Sequence, residues 1–370
     1  MDMLTRLDIH GFKSIRDMAD LTLSPLNVFI GANGSGKSNL ISFLKLLNWM
    51  TPSPGNLQFY ISKMGGANAL LHDGAAVTPQ MRACLTFQTD KGVNEYSLRL
   101  FHAAPDTLIF AEERFRFTPN DFTGSRSWIS LGSGHREANI ISRAEQGDKT
   151  AKVLLNLMKQ CVVYQFHNTS ETARIRLKWD VYDNRLLRED GANLAAFLLR
   201  IRDARPKYYS RIVDTIRQIA PFFADFVLEP AGNAVLLQWR ERDTDLVFGP
   251  HQASDGTLRV MALVSLLLQP EDELPMVIIL DEPELGLHPY AISVLAGLIQ
   301  GVSVHTQVIL ATQSMTLIDY FEPGEIVVVD RPDRDSVFRR LEEDRLQGWL
   351  NDYSIAELWE KNVIGGRPSR

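Results

Sequence analysis

Eight residues, GANGSGKS from Gly31 to Ser38, constrain this chain more than any other feature. They fit the pattern G-x-x-x-x-G-K-[ST], a glycine-rich turn that closes around phosphate. Glycine lets successive backbone N–H groups face an anion with no Cβ in the way. Lys37 is placed to reach the outer phosphates and the Ser38 hydroxyl to meet Mg²⁺. The flanks agree. LNVFI, Leu26 to Ile30, reads as a short buried strand. Asn39 to Trp49 carries Leu40, Phe43, Leu44 and Leu47 at helical spacing. A helix starting here also turns its positive end toward the phosphates. The phosphate-binding set is therefore Asn33, Gly34, Ser35, Gly36, Lys37, Ser38 and Asn39.

Three further segments carry chemistry. In VIILDEPELGLHP, Val277 to Pro289, an apolar strand ends in Asp281-Glu282. Asp281 can support Mg²⁺, and Glu282 can deprotonate an attacking water. The same pair also suits a solvated helix cap. In HQASDGTLRV, His251 to Val260, Ser254 and Gly256 open an apolar helix. A hydroxyl, a glycine N–H and a helix N-terminus make an anion site, although Ser254 or Asp255 equally suits a plain N-cap. In QVILATQSMTLIDYF, Gln307 to Phe321, a strand runs into Gln313, which would lie near the terminal phosphate.

Strand–helix alternation at the two ends predicts an α/β fold with a mostly parallel sheet. Alternating stretches between Met81 and Phe117 predict antiparallel hairpins. The spacing divides the chain into four regions: an N-terminal lobe over 1–120, an inserted and largely helical region over 121–250, a C-terminal lobe over 251–330 and a tail over 331–370. Thr118 to Gly147 reads as a surface excursion, Ala234 to Trp239 as the partner strand of Phe226 to Leu228, and Ile326 to Val329 as the last strand.

The order of these motifs resembles the ABC-type ATPases, in particular their RecF-like, SMC-like and OLD-related branch. LDIHGFKSI, ASDGTLR and DEPELGLHP carry the likeness. VVYQFHNTS, DGANLAAFL, APFFADFVLEP and DYSIAELWEKNVIGGRP are similar to a bacterial group of stand-alone RecF-like ATPases without a nuclease domain. The resemblance implies a P-loop fold with an antiparallel β subdomain and an inserted helical subdomain. It implies ATP and Mg²⁺ as cofactors, with Ser38 and Asp281 on the metal and Glu282 and Gln313 catalytic. It implies a homodimer, or a higher oligomer, with composite sites. There Ser254 and Gly256 of one copy touch ATP held by the other, and Leu285 to Pro289 line the seam. Lys13 matches a position that approaches nucleotide, and Gln165 is the candidate for the family's Q-loop glutamine.

Two departures bear on rate. The signature reads Ala253-Ser254-Asp255-Gly256 instead of L-S-G-G, and Gln313 stands where histidine is common. Glutamine bonds phosphate or water but does not titrate near neutrality. Slow hydrolysis follows, as suits a switch or sensor. The resemblance extends to anti-phage defence with a separate effector protein. The alternative is an ATP-dependent DNA-binding protein of repair or replication.

No long heptad run separates Ser38 from Ser254, so the expectation is a head without a coiled-coil arm. From Arg174 to Arg217, eleven Lys or Arg face six Asp or Glu, with Trp179, Tyr182, Tyr208 and Tyr209 interspersed. That pattern suits nucleic acid as well as a solvated helix face. The net charge of the whole chain is −6, which favours no polyanion. Two cysteines, a charged N-terminus and the lack of an 18-residue apolar run predict a cytoplasmic chain with no membrane partner.

Overall fold

The computed structural model describes residues 2–51, 55–124 and 126–366; Arg367 and Pro368, which end the DYSIAELWEKNVIGGRP run, lie outside them. A six-stranded sheet forms the centre, in the order Val337–Arg340, Ile326–Asp330, Leu26–Ile30, Gln307–Thr312, Val277–Asp281, Cys161–Tyr164. Five of these strands are parallel and Val337–Arg340 is antiparallel. The parallel strands are apolar throughout because both faces are covered. Val28, Ile30, Ile278, Leu280, Val308 and Leu310 enter one core, with the Asp255–Leu267 and Pro289–Ser303 helices. Phe29, Val277, Ile279, Ile309 and Ala311 enter the other, with the Lys37–Met50 helix and a second sheet.

That second sheet is antiparallel, in the order Ile15–Thr22, Met3–Phe12, Gln80–Thr89, Gly92–Ala103, Thr107–Pro119, Ile129–Gly132. Gln307 joins the two sheets. Fully buried, it exchanges hydrogen bonds with the backbone N–H and C=O of Leu4 at 3.0 and 2.9 Å. The architecture is the expected one: a mostly parallel α/β sheet with an antiparallel β subdomain.

Residues 121–250 divide between the layers. The Asn139–Glu145 and Lys149–Lys159 helices belong to the core beneath the antiparallel sheet. Cys161–Tyr164 is an edge strand of the parallel sheet. The Leu194–Ala204 and Pro206–Ile219 helices pack in the opposite core. Thr118 to Gly147 is thus more than a surface excursion. Buried Glu113 accepts the backbone N–H groups of Asn139 and Ile140 and so caps the helix that buries Ile140 and Ile141. The expected strand pair holds where Phe226 and Val227 face Trp239 and Gln238, and changes at Ala234. Phe223–Val227 pairs with Gln238–Glu241, whereas Ala234–Val235 pairs with Trp179–Asp180. The sheet also carries Val337–Arg340 beyond the expected last strand.

Candidate functional site

The parallel strands end in register. Ile30 lies opposite Thr312, Ala311 opposite Asp281, and Leu280 opposite Tyr164. The residues that follow, Gly31, Gln313, Glu282 and Gln165, therefore share the carboxyl edge of one sheet, where open α/β sheets bind ligands.

Within the phosphate loop, Lys37 donates to the backbone oxygens of Gly31 at 2.6 Å and Ala32 at 3.2 Å. Burial lowers its pKa, opposed by Glu282, Asp281 and Glu284. A desolvated ammonium held on loop carbonyls is ready for exchange onto phosphate oxygens. Behind the loop, Ser14, Ser336 and Asn39 form one network. Asn39 donates to the Ser14 hydroxyl, the Ser14 and Ser336 hydroxyls lie 2.6 Å apart, and Ser336 donates to the Ser35 carbonyl. Gly36 must stay glycine here. Its φ is +118°, and a Cβ would lie 2.0 Å from the Ser336 hydroxyl oxygen. Gly36→Ala is expected to cost about 2–3 kcal/mol, read as a lower urea midpoint with an unchanged m-value. Ser38, Asn33 and Gly34 are exposed to solvent.

Asp281 is tied by two side chains, one of them held in turn by a lysine. Gln165 donates its amide to Oδ2 at 2.9 Å, His167 Nε2 lies 2.6 Å from the backbone oxygen, and Lys45 donates to the Gln165 side-chain oxygen. Burial raises the Asp281 carboxyl's pKa above the ordinary value. A partly desolvated carboxylate at this edge suits a cation whose remaining ligands come from phosphate and water. The available donors, the Ser38 hydroxyl and the Asp281 carboxylate, are hard oxygens and fit Mg²⁺. Lys45 is absent from the sequence reading. It sits among the apolar helix residues Leu44, Leu46 and Leu47, and a lysine inside a buried stripe was the available signal.

Glu282 has φ +39°, a left-handed conformation that non-glycine residues rarely adopt. Its backbone N–H bonds the Ala311 carbonyl at 2.8 Å, and its Oε1 accepts the Gln313 amide at 2.8 Å. The two expected catalytic residues therefore meet. Next to them Thr312 donates to buried Glu284 at 2.5 Å, and burial raises the Glu284 pKa.

Ser254 and Gly256 stand apart. Ser254 caps the Asp255–Leu267 helix by accepting from Thr257 N–H, and it is exposed. Among the described residues no hydrogen bond joins either to the phosphate loop. The helix is instead clamped to the opposite part of the site by Arg259. That residue donates to the backbone oxygens of Phe166, His167 and Leu285. The negative charge of Asp255 is balanced by Arg176 at 2.9 Å. Arg176 is buried and also donates to the Thr169, Pro250 and Ala253 carbonyls. Lys13 bonds Ser42 at 2.7 Å on the flank of the loop helix; burial and Lys45 lower its pKa.

The basic stretch is largely neutralised. Seven of its eleven positive residues, Arg174, Arg176, Arg188, Arg200, Arg202, Arg205 and Arg217, hold carboxylates. Three of the partners, Asp255, Asp272 and Glu273, lie outside the stretch, so its excess charge is smaller in space than in sequence. Among the described residues no helix is long and apolar enough to cross a membrane.

A family model described as "AAA domain, putative AbiEii toxin, Type IV TA system" matches residues 26–319. No relative among curated proteins matches. Among solved structures, an SMC head bound to the C-winged helix domain of ScpA is similar, with a TM-score of 0.62 and 16% identity over 92% of this chain and 99% of that one. The SMC head with an extended coiled coil derived from Pyrococcus furiosus, bound to the C-terminal domain of ScpA, gives 0.60 and 14% over 95% and 99%. These likenesses identify the fold as that of an SMC/RecF-like, ABC-type ATPase. With its strand-end motifs inside the matched range, the chain belongs to the AAA-domain family described as putative AbiEii toxin, type IV toxin–antitoxin system.

Proposed function

We propose that this protein binds Mg²⁺–ATP at the phosphate loop, pairs with a second copy around the nucleotide, and hydrolyses it slowly as a switch. The observation that carries this reading is the bonded row Lys45–Gln165–Asp281 beside Glu282–Gln313, set on the sheet edge that also carries Lys37. Lys37 leaves the Gly31 and Ala32 carbonyls for the phosphates. Ser38 and Asp281 would hold Mg²⁺, which when bound offsets phosphate charge. Glu282 takes the proton of the attacking water while Gln313 fixes the carboxylate's direction. Gln313 cannot serve as a second titrating group, which is consistent with low turnover.

The dimer is supported by Ser254 and Gly256, exposed or half-buried at a helix N-terminus and unbonded to their own loop. A second copy brings them to the other copy's nucleotide. The family description names a putative toxin of a type IV TA system, which supports a second protein in the same system; that this protein is a separate effector in anti-phage defence is part of the proposal.

Titration with ATP, with and without Mg²⁺, tests the reading. Lys37→Ala is expected to weaken binding by about 10- to 100-fold, the scale of lost charged hydrogen bonds. Light scattering is expected to show dimers at saturating Mg²⁺–ATP and monomers without it. Equal affinity in Lys37→Ala, or a monomer at saturation, would overturn the reading.

A further inference from the structure

The tail reaches the phosphate loop. Its Ile355–Glu360 helix is anchored on Asp319, just behind the Met315–Ile318 helix that follows Gln313. Asp319 accepts the Ala356 N–H at 2.7 Å and the Ser354 hydroxyl at 3.2 Å. Leu358, Trp359 and Ile364 are buried in the same core as Leu317 and Ile318. Arg339 then holds the Ile364 carbonyl at 2.6 Å. Beyond this point the backbone of Gly366 makes two bonds. Its N–H donates to Asp330 Oδ1 at 2.6 Å, and its carbonyl accepts the Ala32 N–H at 2.8 Å.

The Ala32 N–H belongs to the Gly31–Ala32 peptide unit. The carbonyl of that unit is the one that accepts Lys37 Nζ at 2.6 Å. One peptide plane is thus gripped from both sides, by the Lys37 ammonium and by Gly366. Bonds aligned this way polarise one another, and a plane held at both ends cannot rotate. Space is as restrictive as bonding. Gly366 has φ +82°, and a Cβ there would lie 2.9 Å from Trp359 Nε1 and 3.1 Å from Val328 Cγ1. Asp330 sits at the end of the strand beside Leu26–Ile30, so the anchor is as rigid as the sheet.

We infer that the tail is part of the nucleotide site: Gly366, fixed by Asp330, clamps the Gly31–Ala32 peptide and so positions Lys37 for phosphate. Asp330 and Gly366 lie beyond the 26–319 span of the family match, while the loop residues they hold lie within it. The inference rests on the ATP reading above.

Two variants of the full chain and one shortened chain test it. Asp330→Ala removes the acceptor for Gly366, whereas Asp330→Asn keeps an acceptor oxygen. A chain ending at Ile364 removes the clamp but retains the buried anchor. Affinity for a fluorescent ATP analogue at saturating Mg²⁺ is expected to fall about five- to tenfold in Asp330→Ala and in the shortened chain, as one or two lost hydrogen bonds would give. Asp330→Asn is expected to restore it. Hydrogen exchange without nucleotide is expected to quicken at the Ala32 amide while the Val277–Asp281 strand is unchanged. A wild type that binds no analogue would end the ATP reading, and the exchange data would still judge the clamp. Unchanged Ala32 exchange in Asp330→Ala, or wild-type affinity in Asp330→Ala when the wild type binds, would overturn the inference. So would failure of Asp330→Asn to restore binding.

Discussion

Replacing Glu282 with glutamine is expected to slow ATP turnover by about 10²- to 10⁴-fold while ATP affinity stays within about threefold. The backbone explains the second half of that expectation. Residue 282 is held at φ +39° by its own N–H on the Ala311 carbonyl, which the substitution does not touch. A glutamine oxygen can still accept the Gln313 amide that Glu282 Oε1 accepts at 2.8 Å. Shape persists and the base is lost. ATP-bound dimers should then accumulate, read by light scattering, with phosphate release measured in a single turnover. Turnover equal to wild type would remove Glu282 from the role of base.

The largest expected effect on stability belongs to Arg176. Arg176→Met is expected to destabilise the fold by about 2–4 kcal/mol. The side chain is buried and ties together the Thr169, Pro250 and Ala253 carbonyls; methionine fills the space but donates to none of them, leaving the Pro250 carbonyl only the Ala253 N–H at 3.3 Å. Asp255, 62% exposed at its side chain, stays solvated and adds little to that loss. Its effect is on assembly instead. Freed of its counter-charge, it stands beside Ser254 where a partner's polyphosphate would come. In a Glu282→Gln background, Arg176→Met is therefore expected to weaken the ATP-dependent dimer, and adding Asp255→Asn to recover much of it. The urea midpoint should not recover. Recovery of both, or of neither, would show that the ion pair does not divide its work in this way.

The phosphate loop, Asp281-Glu282 and Gln313 were legible because each is a strand end plus a few loop residues. The chemistry of such a string is local, and a parallel sheet then aligns the strings on one edge. Gln165 was visible only as a candidate: its role depends on Cys161–Tyr164 lying beside Val277–Asp281, and no spacing in the chain states that pairing. Arg176 is the clearest miss. In sequence it is one more charge in a basic stretch; in space it is the buried support of the segment from Pro250 to Asp255. The Val337–Arg340 strand was hidden by its position. At the sheet edge it alternates exposed and half-buried residues and lacks the apolar run that marked its neighbours. Ala234–Val235 paired unexpectedly because two-residue strands take their register from the turns around them.

The placement of Leu26–Ile30 between Gln307–Thr312 and Ile326–Asp330 has a consequence for how the protein is made. During synthesis the phosphate loop is made first, and both strands that flank its own arrive almost three hundred residues later. Until then the strand before the loop has neither neighbour, and the loop has no rigid base. Closure must wait for contacts of very long sequence separation, which slows folding and leaves apolar strand edges open in the nascent chain. A newborn copy is therefore expected to be blind to nucleotide until Ile326–Asp330 has emerged, and a message truncated before residue 330 is expected to yield a chain that does not bind it.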